Sequence, residues 1–334
     1  MSKIKPAKGS PYARILGVGG YRPTRVVPNE VILETIDSSD EWIRSRSGIA
    51  TRHWASPEET VAAMSVEASG KALADAGVSA EQIGAVIVST VSHFKQTPAV
   101  ATEIAHRIGA GKPAAFDISA GCAGFGYGLT LAKGMVVEGS AQYVLVIGVE
   151  RLSDLTDLED RATAFLFGDG AGAVVVGPSE EPAIGPTVWG SEGDKSETIK
   201  QTVPWDEFRS KDSTERFPAI TQEGQAVFRW AVFEMAKVAQ QALDAAGITA
   251  DDLDVFIPHQ ANMRIIDSMV KTLKLPEHVT VARDVETTGN TSAASIPLAM
   301  ERLLATGAAK SGDTALVIGF GAGLVYAATV VTLP

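Results

Sequence analysis

Two stretches of the chain read as copies of one another. Residues 73–90, LADAGVSAEQIGAVIVST, and residues 243–260, LDAAGITADDLDVFIPHQ, are identical at Leu73/Leu243, Ala76/Ala246, Gly77/Gly247 and Ala80/Ala250, all at one offset. Val78/Ile248, Ser79/Thr249, Ile83/Leu253 and Ile87/Ile257 are close substitutions. Each copy ends a helix at glycine, turns, and enters an apolar strand. LVIG then recurs at residues 145–148 and 316–319, at nearly the same offset and each time after a helix-like stretch, 129–138 and 296–305. Two matches in the same order point to one α/β unit used twice. A length of 334 residues accommodates two such units, placed at 1–183 and 184–334.

The copies differ in what they carry at their strand-to-helix turns. In the first, FDISAGCAGFGYGL (116–129) holds Cys122, the only cysteine of the chain. A free cysteine often serves as a small buried hydrophobe. Here residues 115–118 look like a strand end and 129–137 continue as a helix, so the thiol also stands where a helix N-terminus lowers its pKa and favours a nucleophile. Both readings stay open on local sequence. In the second copy the corresponding place is TTGNTSAAS (287–295), with Asn290 close to the cysteine's counterpart; alone, this run reads equally well as a helix N-cap. His259 follows the strand 255–257, matching Ser89-Thr90 of the first copy. Functional groups of α/β units gather beyond the carboxyl ends of strands, so Cys122, His259 and Asn290 are expected to converge on one cleft.

Composition excludes several alternatives. One cysteine rules out an intramolecular disulfide or a multi-cysteine zinc site and suits a reducing, cytoplasmic setting. A formal net charge of −11 argues against nucleic-acid binding. The N-terminal MSKIKPAKGSPYARILGVGG lacks a long apolar core and reads as a short tail before a strand. Residues 314–334 carry no charge, but GFGAG (319–323) divides them into two buried strands rather than a membrane span. Residues 191–224 are polar and are expected to form a long surface excursion over an entrance. GDGAGA (168–173) resembles half of a dinucleotide fingerprint; without other support, its small residues are expected to permit close strand packing. In 262–274, NMRIIDSMVKTLK, Met263, Ile266, Met269/Val270 and Leu273 form an apolar helix stripe, while Arg264 and Lys271 share another face with Lys274 nearby.

Cys122, PHQAN (258–262) and GNTSAAS (289–295) together resemble the type III β-ketoacyl-acyl carrier protein synthases of the thiolase superfamily. The resemblance runs from about residue 15 to the C-terminus and includes DEWIRSRSGI (40–49) and FGDGAGA (167–173). It implies an α/β thiolase fold, two duplicated halves in a five-layered αβαβα arrangement, assembled as a homodimer. It also implies that Cys122 takes a primer acyl group from a CoA thioester, while His259 and Asn290 donate hydrogen bonds to the enolate oxygen formed when a malonyl thioester loses carbon dioxide. The backbone amides of Cys122 and Ala322 would form a second oxyanion hole; the family often has glycine at the latter position, a departure of little consequence for a backbone donor. Trp42 and Arg161 would sandwich the CoA adenine, with Arg46 on its phosphates or base. Arg264, with Lys271 and Gln260, would dock the acidic acyl carrier protein. Thr97 would reach the end of the primer pocket from the neighbouring subunit and, being smaller than an aromatic, leave room for branched or longer primers. No metal and no separate cofactor are implied, since CoA thioester and phosphopantetheine carrier are substrates. A biosynthetic thiolase would use a second cysteine and a chain-elongating synthase two histidines, so the remaining enzymatic alternative is a priming synthase or acyltransferase of polyketide assembly; an inactive binding protein on this fold would have lost one of the three polar groups.

Overall fold

The two LVIG runs become central strands. YVLVIGVER and TALVIGFG are apolar almost throughout because both faces of each are covered by helices. The computed structural model describes residues 4–5, 7–210 and 214–334, so part of the N-terminal tail and residues 211–213 of the surface excursion lie outside the described residues.

In the first half the strands are β1 (Tyr12–Tyr21), β2 (Ile83–Ser89), β3 (Ala114–Ile118), β4 (Tyr143–Arg151) and β5 (Asp169–Ser179), in the spatial order β1-β5-β4-β2-β3. In the second they are β6 (Val188–Ser191), β7 (Val255–Pro258), β8 (Thr280–Val281), β9 (Thr314–Gly321) and β10 (Val325–Thr332), in the order β6-β10-β9-β7-β8. The second order is the first advanced by five labels. The parallel pairs β2–β3 and β2–β4 recur as β7–β8 and β7–β9, and the antiparallel pairs β4–β5 and β1–β5 recur as β9–β10 and β6–β10. β9 and β10 are the two buried strands expected at the uncharged C-terminus, and among the described residues no helix is long and apolar enough to cross a membrane.

The principal helices are α1 (Asp40–Ser47), α2 (Val61–Ala76), α3 (Val100–Arg107), α4 (Gly124–Glu138), α5 (Gly224–Ala246), α6 (Met263–Leu273) and α7 (Ser295–Ala305). The matched sequence copies are explained locally. α2 and α5 each stop at a left-handed glycine, Gly77 and Gly247, and each is followed by a 3-10 turn with a capping box from Ser79 or Thr249. α4 and α7 lie between the sheets and touch both; α2 and α3 cover the outside of the first sheet, α5 and α6 the outside of the second. These are the five expected layers. The middle layer is the deepest core: Phe125 and Leu129 of α4 and Ile296 and Met300 of α7 pack against Ile15, Ile87 and Val146 on one side and Ile257 and Val317 on the other. Truncating one such side chain to alanine costs about 2–5 kcal/mol.

GDGAGA does serve packing, since it opens β5, where a side chain at Gly172 would come within 2.6 Å of Pro297 Cγ. The excursion is more ordered than its polarity suggests. It contains a ribbon of Ile199–Gln201 against Ile220–Gln222, and Trp205, Phe208 and Phe217 gather edge-to-face with Phe94. Glu192 anchors it, accepting the Trp230 indole N–H at 2.7 Å and pairing through its backbone with Leu324.

The halves come close where Gly148 of β4 faces the carbonyl of Ala293, in the 3-10 turn Ser292–Ala294 that leads into α7. A methyl group at residue 148 would overlap that carbonyl, which is backbone and has no rotamer to yield. Gly148→Ala should therefore lower stability by about 1–3 kcal/mol through overpacking. Chemical denaturation checks this; an unchanged midpoint would mean that the halves do not approach so closely.

Candidate active site

Cys122 and Asn290 are presented by equivalent turns. After β3 the chain enters the 3-10 turn Gly121–Ala123 through Gly121 at φ +47° and continues as α4. In the second half the 3-10 turn Ser292–Ala294 is entered through Ser292, also at φ +47°, and continues as α7. Structurally Ala293 is thus the counterpart of Cys122 and Ser292 that of Gly121, with Asn290 two residues before. The two turns touch at the centre of the molecule. His259 follows β7, its backbone N–H donating to Ile318 O at 2.7 Å. All three side chains line one cavity of about 200 Å³, roofed by the ribbon residues Ile199 and Ile220 and walled by Phe320 and Trp230.

The hydrogen bonds around the polar groups leave donors facing inward. Asn290 Oδ1 accepts the Ser292 N–H at 2.8 Å, a local turn contact and not a helix cap, since neither the Ser292–Ala294 turn nor α7 has a side-chain cap, and the amide NH₂ remains for the cavity. His259 Nδ1 lies 2.7 Å from Ser295 Oγ, which accepts the Gln260 N–H at 3.3 Å. The serine proton is then available to Nδ1, which assigns the imidazole proton to Nε2. Phe320 packs edge-on to the ring at 5.4 Å. Burial pushes His259 down to about 3, so the ring is neutral across the working pH range.

The thiol reverses one expectation. Burial pushes Cys122 up to about 12, against the lowering effect of the Ser292 side chain and of its own backbone amide. Desolvation by the apolar walls outweighs the helix-terminus effect, and the resting group is a thiol. The Gly321–Gly323 turn passes directly over it: a side chain at Gly321 would stand 2.8 Å from Cys122 Cβ and 2.9 Å from Sγ. Ala322 lies on this turn, lines the cavity, and brings its backbone beside Gly121.

A second cavity, of about 440 Å³, shares Asn290, Ala261, Val227 and Gln222 with the first and forms its mouth. Trp42 stands there with the Arg161 guanidinium 4.9 Å and that of Arg46 5.8 Å from its ring centroid, and with Phe165 edge-on at 5.5 Å. Arg264 is exposed at the same mouth, 5.2 Å over Phe228, and Lys271 is exposed further along α6. The structure therefore brings Trp42, Arg46, Arg161 and Arg264 to the entrance of the cavity holding Cys122, His259 and Asn290.

One expected contact needs correction. Gln260 is buried: its Nε2 donates to Pro258 O at 2.7 Å and Ala282 O at 3.2 Å, and Oε1 accepts the Val285 N–H at 3.1 Å. It braces the loop behind His259 and has no face for a carrier protein. Thr97 is exposed and away from the cavity of its own chain, as a residue expected to serve the neighbouring subunit must be. Sequence reasoning missed Ser292, Ser295, Phe320 and the buried Glu150. The serines lie within GNTSAAS, Phe320 within GFGAG, and Glu150 two residues beyond the first LVIG.

Comparison with known proteins matches this geometry. Models described as 3-oxoacyl-acyl-carrier-protein synthase III and its C-terminal part match residues 116–193 and 243–333. The chain is 88% identical to beta-ketoacyl-acyl-carrier-protein synthase III 1 of Streptomyces coelicolor and 89% identical to beta-ketoacyl-acyl-carrier-protein synthase III of Streptomyces glaucescens, covering 100% of both chains in each case. Among solved structures, the priming beta-ketosynthase of the R1128 polyketide biosynthetic pathway superposes with a TM-score of 0.97 at 47% identity, covering 100% of this chain and 99% of that one. The 3-oxoacyl-acyl-carrier-protein synthase III of Aquifex aeolicus gives 0.87 at 38% identity, covering 96% and 99%.

The neutral imidazole has a pH signature. Its folded pKa lies below the unfolded value, so its contribution to stability is intact above the ordinary histidine range and is lost as pH falls below about 6.5, by up to about 1.4 kcal/mol per pH unit. In a ¹⁵N-histidine spectrum His259 should hold one Nε2–H tautomer from pH 5 to 9. A titrating resonance in that range would contradict its buried, neutral state.

Proposed function

Because the chain belongs to the 3-oxoacyl-acyl-carrier-protein synthase III family of condensing acyltransferases, we propose that its cavity runs both halves of a decarboxylative condensation, priming fatty acid synthesis by joining a short acyl-CoA to malonyl-acyl carrier protein. The observation that carries this reading is the convergence of one thiol and two inward side-chain donors, Asn290 Nδ2 and His259 Nε2, on a single cavity with mainly apolar walls. In the first half-reaction Cys122 sulfur attacks the primer thioester, CoA leaves as its thiol, and the acyl group stays on the enzyme. The tetrahedral oxyanion is held by the backbone amides of Cys122 and Ala322. In the second, malonyl thioester loses carbon dioxide, and the enolate oxygen accepts hydrogen bonds from His259 and Asn290. The enolate carbon attacks the acyl-cysteine and expels the Cys122 thiolate, which regains a proton taken up from solvent. Neutral donors suit this step because they stabilise charge only as it develops.

The mouth supports the substrate assignment. An indole flanked by two guanidinium groups is a stacking site for a purine, and the arginines complement CoA phosphates. Arg264 and Lys271 offer a basic face on an otherwise acidic protein, fitting an acidic carrier. The 88% and 89% identity to the two Streptomyces synthases III, against 47% to the polyketide priming enzyme, favours the fatty acid reading. A cytoplasmic location accords with a lone free thiol. We also infer a homodimer, in which the exposed Thr97 completes the partner's primer pocket; light scattering at micromolar concentration should give twice the chain mass, and a monomer would exclude that role.

The division of labour is separable. Acylation draws on Cys122 and backbone donors, decarboxylation on side chains. Asn290→Ala should form the acyl-enzyme at a near-normal rate yet lose about 10²–10³-fold in decarboxylation and condensation. Rapid-quench intact mass and release of labelled carbon dioxide measure the two steps. Equal loss in both would refute this assignment of Asn290.

A further inference from the structure

The walls of the acyl chamber are not all held in the same way. Leu152 and Leu155, on the 3-10 turn that follows β4, are buried and pack in the cluster that contains Ile43, Phe165 and Phe167. Asp169, at the start of β5, fixes this turn further. Its carboxylate accepts the Ser153 N–H at 2.9 Å and the Ser153 hydroxyl at 2.6 Å. Val91 lines the same chamber from the segment after β2, yet it is 37% exposed, so its own chain packs little behind it. Beyond it the chain runs exposed from Phe94 to Thr97.

What holds Val91 is a buried carboxylate that the condensation described above does not use. Glu150, near the end of β4, has no exposed surface. Both of its oxygens accept the Val91 N–H, at 3.1 and 3.3 Å. One of them also accepts the Ser92 hydroxyl at 2.6 Å and the Thr90 hydroxyl at 3.3 Å. Ser92 Oγ in turn accepts the Arg151 N–H at 2.7 Å, so the clasp runs from the Val91 segment to the residue that precedes Leu152. The Arg151 guanidinium pairs with Asp154 at 3.1 Å rather than with Glu150. Burial pushes the Glu150 carboxyl up to about 7, against the donors that lower it. Sealing in a carboxylate without an ion-pair partner is costly, and the hydrogen bonds that offset the cost all tie down residues 90–92.

We propose that Glu150, together with Ser92, is a positioning residue for primer selection: the clasp holds Val91 against the chamber and sets the gap between it and the wall of Leu152 and Leu155. Glu150 touches no substrate in this role and acts through Val91. The opposite wall is fixed by packing, so the width of the chamber at this point follows the clasp. A looser clasp gives acyl chains room that the present wall denies them.

This rests on the cavity being the acyl chamber, and acyl-enzyme formation measured on the full chain by rapid-quench intact mass separates the two ideas. No adduct from acetyl-CoA or hexanoyl-CoA on the unsubstituted protein would defeat that reading and the proposal with it. With adducts present, the test is the ratio of the acylation rate constants, kcat/KM, for hexanoyl-CoA and acetyl-CoA. A general loss of stability lowers both constants and leaves their ratio in place. Glu150→Gln should raise the ratio about tenfold, the scale of one methylene in an apolar pocket. Glu150→Asp, which keeps the charge but withdraws it from Val91, should raise it less. Val91→Ala should raise it directly, and adding Glu150→Gln to Val91→Ala should raise it no further, because both act at one wall. A folded Glu150→Gln protein with an unchanged or lower ratio, or a further rise in the double variant, would overturn the proposal. Should Glu150→Gln not fold, Ser92→Ala removes the 2.6 Å bond and should shift the ratio in the same direction; an unchanged ratio there would overturn it equally.

Discussion

The two tight turns Gly121–Ala123 and Ser292–Ala294 can touch only because Gly148 and Gly321 offer no side chains where backbone and thiol pass. That approach governs the rest. It sets α4 and α7 side by side in the middle layer, puts the carboxyl ends of two sheets at one place, and brings a thiol from one half to an amide and an imidazole from the other. A side chain at either glycine would separate the groups before it altered any of them chemically. The dense middle core of Phe125, Leu129, Ile296 and Met300 holds the turns in register, as close-packed interiors transmit small shifts rather than absorb them.

Electrostatically the site is divided by depth. Inside, burial opposes every charge: His259 is neutral, Cys122 holds its proton, and Glu150 is poised between states. Charge lies at the rim, where Arg46, Arg161 and Arg264 at the mouth and Lys200 beside the roof meet solvent. Anionic groups arriving from solvent meet these guanidinium groups before they reach the apolar interior. Oxyanions that form there meet fixed donors among apolar walls, where the low dielectric strengthens such hydrogen bonds.

Much of this was legible in the sequence because it was written twice. The alignment of residues 73–90 with 243–260 marks a helix, a left-handed glycine and a capped 3-10 turn in each half, and LVIG marks the central strands. Cys122, His259 and Asn290 followed from position at strand ends, and the cluster of Trp42, Arg46 and Arg161 at the mouth from family likeness rather than from any local pattern. What escaped depends on three-dimensional enclosure. Gln260 looks like a surface glutamine beside an exposed helix, yet three backbone groups consume its amide. The direction of the Cys122 shift needed the walls of the cavity as well as the helix behind it. Glu150 sits at the end of an ordinary strand, and only the loop carrying Thr90 and Ser92, folded back over it, reveals that it is sealed in.

The roof of the cavity comes from the one long segment that the two copies do not share. Ile199 and Ile220 close the chamber from a ribbon tied to the scaffold through Glu192, Trp230 and Leu324, while the strands and turns bearing the reactive groups belong to the repeat. The dimensions of the acyl chamber and the chemistry at its floor are therefore inherited separately. Descendants of such a chain are free to lengthen, shorten or restitch the roof and so change which acyl groups fit, without disturbing the framework that makes the carbon–carbon bond.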